Sequence, residues 1–125
     1  MGSEAPARIE SYRDLRVYQL SYQLALELHK TTMRFPAQER GELGSQLRRA
    51  AASVPIDIAE GYGRKRSPAD FKRFLVMAMG SCNEVNVILD MARDLGYLTE
   101  EIHAKFKEQY DEAGRSLNKL IQVWR

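Results

Sequence analysis

From Phe71 to Ala92 the chain places Phe71, Leu75, Ala78, Cys82, Val85, Leu89 and Ala92 at alternating steps of four and three. A strand repeats every two residues, so this run has one solution: a long helix with an apolar seam down one side. Its start is well marked. The Ser67 hydroxyl suits an N-cap, Pro68 suits the first helical position where no N–H is needed, and Asp70 sets a carboxylate at the positive end of the helix dipole. Leu95-Gly96 predicts its end. A helix with one apolar seam cannot bury that seam alone, so the rest of the chain must supply its neighbours.

Three more helical runs do so. Between Tyr12 and Arg34, the residues Leu15, Tyr18, Tyr22, Ala25 and Leu28 predict an inward face, widened by Val17, Leu20 and Leu24. Phe35-Pro36 ends the run, because the residue before proline avoids helical geometry. A second helix is predicted over Gln38 to Glu60, with Leu43, Leu47, Ala50, Val54 and Ile58 inward. Pro55 inside it predicts a bend near Ala51 to Val54 rather than a stop, and Gly61-Tyr62-Gly63 supplies glycine for its end. The last helix starts at Thr99 as N-cap, with Glu100 and Glu101 in its first turn, and carries Ile102, Phe106, Tyr110, Ala113, Leu117, Leu120 and Trp124. The fold expected is all-α: an up-down-up-down four-helix bundle over residues 12–125, behind a flexible tail over 1–11.

A chain of 125 residues is one domain and buries enough surface to need no metal or disulfide staple. Cys82 is the single cysteine; its apolar neighbours predict a buried, unreactive thiol and suit a reducing compartment. The first fourteen residues hold no long apolar run, so neither a secretory signal nor a membrane anchor is expected there. Together these features predict a cytoplasmic protein with no membrane association.

The long helix carries a second apolar series beside its seam: Phe74, Met77, Ser81, Ile88, Met91 and Leu95, with Glu84 as the one charge in it. Two readings stand. Either the core face is wide and both neighbouring helices wrap it, or Phe74, Met77, Ile88 and Met91 form a homo-oligomer interface.

Catalytic chemistry finds little to stand on. A di-iron centre in a bundle needs two Glu-x-x-His units and two further glutamates, whereas Glu100-x-x-His103 occurs once and His29 has no glutamate three residues earlier. Glu100 and His103 are expected as first-turn surface residues. Ser81 and Cys82 lack a base at helical spacing, and Gly61-Tyr62-Gly63 is no phosphate-binding P-loop. No catalytic residue, metal or cofactor is expected. The polar residues Gln46, Ser53, Asp57, Glu60, Ser81 and Glu84 predict a register-fixing layer, for example Arg48 or Arg49 paired with Glu84.

Nineteen basic residues face seventeen acidic ones, so net charge identifies no partner, but the distribution does more. Arg64, Lys65, Arg66, Lys72 and Arg73 crowd one connection and the helix after it, with Asp70 between them, and Arg48 and Arg49 add a pair upstream. Such a group neutralises phosphates, and self-association would multiply it. No recognition-helix motif supports base reading, so salt-sensitive backbone binding to RNA or DNA is expected. The rival reading is a scaffold that docks a partner protein such as a polymerase or reverse transcriptase.

Gln46 to Arg64 (QLRRAAASVPIDIAEGYGR), F-x-x-F-L-x-x-A-x-G-S-x-x-E from Phe71 to Glu84, A-x-x-L-G-Y from Ala92 to Tyr97 and D-L-x-V-Y from Asp14 to Tyr18 closely resemble the 23S rRNA-intervening-sequence proteins. Asp57 departs from that pattern, where the family commonly has asparagine. The resemblance implies a bacterial four-helix bundle that assembles as a homopentamer with a central channel and a basic surface. It also implies kinship with the accessory protein of diversity-generating retroelements, which pairs with a reverse transcriptase and nucleic acid.

Overall fold

The computed structural model describes residues 8–125, and all regular structure among them is helical. The expected tail over 1–11 lies, for residues 1–7, outside the described residues. A 3-10 turn (Tyr12–Asp14) leads into α1 (Arg16–Thr32), followed by the short α2 (Ala37–Gly41) and the long α3 (Leu43–Tyr62), α4 (Pro68–Asp94) and α5 (Glu100–Val123). Helix α3 packs on both α1 and α4, and α5 lies against α4 and more lightly against α1. One core runs between the four long helices.

The seam of α4 is buried at every position the seven-residue repeat marks. Its caps are those the sequence signals. The Ser67 hydroxyl accepts from the Asp70 N–H at 3.2 Å, and Gly96 takes the left-handed conformation at φ 86°. The Tyr97 N–H then reaches back to the Ala92 carbonyl at 2.8 Å and the Gly96 N–H to that of Arg93 at 2.9 Å, closing the helix with a Schellman turn. Thr99 caps α5 by accepting from the Ile102 N–H at 3.1 Å. By length and composition α4 is apolar enough to cross a membrane; in this fold it is the helix that packs against both α3 and α5.

The first two helices differ from expectation. Ser11 caps the 3-10 turn, and the Asp14 carboxylate accepts from the N–H groups of Glu10 and Ser11 at 2.8 and 3.0 Å. Leu15 is extended, so the α-helix begins only at Arg16. The buried face of α1 is Val17, Ser21, Leu24, Leu28 and Thr32; of the expected face Leu15 is buried as well, Tyr18, Leu20 and Ala25 are partly covered by the core, and Tyr22 is exposed. Ser21 and Thr32 tolerate burial because their hydroxyls donate to the Tyr18 and His29 carbonyls of their own helix, at 3.2 and 2.8 Å. The helix expected from Gln38 to Glu60 is broken at Glu42, where ψ swings to −94°. Two side chains take up what the break leaves open: the Glu39 carboxylate accepts the Leu43 N–H at 3.4 Å, and Arg48 donates to the Arg40 carbonyl at 3.0 Å. Helix α3 continues through Pro55 and ends at Tyr62.

The glycine pair at that end acts through space rather than through backbone freedom. Gly63 has an ordinary helical φ of −64°. Gly61 faces α4 so closely that a Cβ there would sit 2.6 Å from the Cβ of Phe74 and 3.1 Å from the Phe71 ring. This approach corrects the reading of the second α4 series. Phe74, against Gly61, and Ile88, turned into the core beside Val85 and Leu89, are 6% and 4% exposed and belong to the subunit interior. Met77 and Met91 stay outside at 46% each, with Val76, Val87 and Leu95 exposed alongside them.

Gly61→Ala therefore forces α3 from α4 and is expected to destabilise the fold by about 1–3 kcal/mol. Gly114→Ala, at a mid-helix position with open space around it, is expected to stabilise by up to about 1 kcal/mol. Urea unfolding of the two variants checks both signs.

Candidate nucleic-acid interface

The connection between α3 and α4 is built on aromatic rings. Tyr62, Phe71 and Trp124 meet edge to face, with centroids 4.8 to 6.3 Å apart, and bring the ends of α3, α4 and α5 together. Above them the chain turns tightly: Arg64 N–H donates to the Gly61 carbonyl at 2.9 Å, Lys65 N–H to Tyr62 at 3.1 Å, and Ser67 N–H to Arg64 at 3.0 Å. Two cations of this turn, and Arg73 from the first turns of α4, are stacked on the rings. The guanidinium carbons of Arg64 and Arg73 lie 5.1 and 4.7 Å from the Phe74 centroid, and the Lys65 ammonium lies 4.5 Å from that of Tyr62. Each contact is worth about 0.5–1 kcal/mol at an exposed site, and it restricts long side chains that would otherwise sweep a wide volume.

Arg64, Lys65, Arg66 and Arg73 are exposed and Lys72 is half-buried. Against these five stand two carboxylates, Glu60 at 3.7 Å from Arg64 and Asp70 at 3.8 Å from Arg73. Both pairs are long and largely solvated, so they neutralise little. The structure thus brings together five of the seven expected cations.

Arg48 and Arg49 stand apart. About 20 Å of helix rise separates Arg49 from Tyr62 at the end of α3, which puts the pair in the first half of that helix. Arg48 is also part of the scaffold. It donates to the Thr32 hydroxyl at 2.8 Å as well as to the Arg40 carbonyl, tying α3 to the end of α1 and to α2. The expected pairing of Arg48 or Arg49 with Glu84 is not made. Glu84 is exposed and has no ion pair among the described residues. The polar layer between α3 and α4 consists instead of Ser53 and Ser81, whose hydroxyls share a hydrogen bond of 2.7 Å. Asp57, half-buried beside Glu60, has its carboxyl pushed up by burial first and by the Glu60 charge second.

A second polar cluster lies on the far half of α4, and its spacing gave no warning of it. His103 is buried at 7% exposure, not on the surface. Its Nε2 lies 2.7 Å from Asp90 Oδ1, which also takes the Lys107 ammonium at 3.3 Å, while Arg93 Nη1 is 3.4 Å from Nδ1. A guanidinium can only donate, so Nδ1 accepts and the Nε2–H donates to Asp90. The His103 hydrogen bond, then Lys107, hold the Asp90 carboxyl below its usual range. Burial pushes the Cys82 thiol up to about 12, far from a reactive thiolate.

Because the folded-state pKa of Asp90 is depressed, its contribution to stability is present above its ordinary value near 3.8 and is lost as pH falls through the lower folded value. Asp90→Asn is therefore expected to lower the urea midpoint at pH 7. The gap to the wild-type chain should close progressively below about pH 4.

A crystal structure of a protein of unknown function from the S23 ribosomal protein family of Bacteroides thetaiotaomicron is similar in fold, with TM-score 0.78 over 86% of this chain and 96% of that one. Sequence identity between the two is 21%. No curated protein matches the chain. The family model described as 23S rRNA-intervening sequence protein matches residues 13–119, which takes in all four long helices up to the last turn of α5. With that match over most of its length, the chain belongs to the 23S rRNA-intervening sequence protein family.

Proposed function

We propose that this protein is a non-enzymatic, self-associating helical bundle that binds the sugar–phosphate backbone of RNA or DNA through Arg64, Lys65, Arg66, Lys72 and Arg73. The observation that carries the reading is the stacking of Arg64, Arg73 and Lys65 on Phe74 and Tyr62. Cations held on a rigid aromatic base, with only two distant carboxylates near them, lose little conformational entropy when they engage phosphates. Membership of a family named for intervening sequences in 23S rRNA supports a nucleic-acid partner. Arg48 has a scaffold role on this reading, and Arg49 a peripheral one.

The helices alternate in direction. Gly61 faces Phe74, and eight residues back along α3, Ser53 meets Ser81 further along α4, which supports an up-down-up-down order. The apolar residues left exposed on α4 support self-association, and the family resemblance supports five copies in the assembly.

Replacing Arg64, Lys65 and Arg66 together by alanine is expected to weaken retention of structured RNA on a filter. It should also flatten the dependence of log affinity on log salt by about two to three units. Arg48→Ala should leave the salt slope alone and lower thermal stability. An unchanged slope in the triple variant would remove this cluster from the account.

A further inference from the structure

Helices α1 and α5 touch only lightly, and the seam between them opens into a pocket of about 210 Å³ where α1 begins and α5 ends. Its floor is apolar: Leu15 and Val17 are buried and Leu120 is packed against the core, while Val123 stands exposed at the rim. Three polar side chains complete the lining, Arg16 and Lys119, both exposed, and the half-buried Ser116. No carboxylate lines the pocket, and neither cation has an ion pair among the described residues. Arg16 also sits where its own helix disfavours it. It is the first residue of α1, at the positive end of the helix dipole, with no acidic residue in that turn to offset the charge. A cation kept against its local electrostatics, with an equally unpaired lysine on the facing helix, marks a place for an anion brought from outside.

The pocket opens at the basic end of the bundle. Val123 precedes Trp124, whose ring meets Tyr62 and Phe71 beneath the turn that carries Arg64, Lys65 and Arg66. We infer that the pocket receives one unpaired nucleotide of the strand whose backbone the basic cluster holds. The base enters between Leu15, Val17 and Leu120, and its phosphate lies on Arg16 and Lys119. This deepens the function proposed above and rests on it. The chemistry of the lining selects this occupant. A nucleobase has apolar faces and polar edges, which matches an aliphatic slot holding one hydroxyl, Ser116, able both to donate and to accept. Its phosphate meets the two unpaired cations at the mouth. An acyl chain with an anionic headgroup would satisfy the cations but offer the Ser116 hydroxyl nothing to bond. A paired base cannot enter, because its faces are stacked and its pairing edge is used within the duplex, whereas a single-stranded end or bulge can be splayed out. The protein therefore prefers a duplex that carries unpaired nucleotides to a blunt one.

Fluorescence anisotropy of the full chain with two RNA hairpins, one blunt and one carrying a short single-stranded overhang, tests this. Wild-type protein is expected to bind the overhang hairpin on the order of tenfold more tightly, the gain that one stacked base gives. Ser116→Leu fills the pocket without changing charge, and Arg16→Gln with Lys119→Gln removes its cations. Each variant is expected to bind the overhang hairpin no better than the blunt one. Arg16 and Lys119 are exposed, so the double variant should melt like the wild-type chain, which separates loss of the site from loss of the fold. An overhang that adds nothing in wild type, or a gain that survives in either variant, overturns the pocket and leaves backbone binding at the cluster standing. Capture of phosphatidylglycerol vesicles through Arg16 and Lys119, with no gain from the overhang, overturns it in favour of a lipid headgroup. Failure of the wild-type chain to bind either hairpin removes the proposed function itself, and this inference with it.

Discussion

The missing side chain at Gly61 sets the geometry of the basic end of this molecule. With only a hydrogen there, α3 approaches α4 until Phe74 fills the space that a Cβ would need. Phe74 is thereby pinned flat at the rim of the core, and its ring becomes the surface on which Arg64 and Arg73 rest. The connection beside it is a tight turn, in which the N–H groups of Arg64, Lys65 and Ser67 donate to the Gly61, Tyr62 and Arg64 carbonyls. A larger residue at position 61 would separate the helices, lift Phe74 and release both arginines. Packing at one backbone position and the placement of surface charge are therefore a single problem.

The electrostatics of that end follow from its exposure to water. Glu60 and Asp70 lie near Arg64 and Arg73, yet both pairs are long and solvated, and exposed pairs of this kind contribute about 0–1 kcal/mol. They bias the arginines without consuming them. The Asp90–His103 contact is the contrasting case. It is short, one partner is buried, and a lysine and an arginine surround it, so it ties α4 to α5. The N-terminal end of α4 is held by the Tyr62–Phe71–Trp124 rings, and its C-terminal end by this polar network together with Tyr97 packed on Phe35.

How much of this is legible in the sequence depends on whether the signal is local. The α4 seam is legible because seven residues repeat without a fault and both ends carry their caps. The basic cluster is legible because its members are neighbours in sequence. The face of α1 misleads because tyrosine packs well half-exposed, with its ring covered and its hydroxyl wet, while Ser21 and Thr32 hide by bonding to their own helix. His103 escapes because Asp90 lies on another helix, and no spacing within α5 points to it. Arg48 reads as a free cation because the groups it binds, Thr32 and the Arg40 carbonyl, become its neighbours only after the break at Glu42 forms. Phe74 stays undecided in the sequence between a wide core face and an outer interface because its heptad phase lies off the seam, and the absence of a side chain at Gly61 makes the room in which it is buried.

The separation of the two basic groups also constrains what a nucleic-acid ligand could be. Duplex nucleic acid carries one phosphate charge per about 1.7 Å of axis, so the roughly 20 Å of helix between Arg49 and Tyr62 spans more than about ten charges. A ligand touching both ends of one subunit would have to lie along α3, across Glu60 and the half-buried Asp57, whose carboxyl is already disfavoured as an anion by burial and by Glu60. That path is poorly matched to phosphate. On the proposed function, a phosphate backbone held at the α3–α4 connection alone avoids that path.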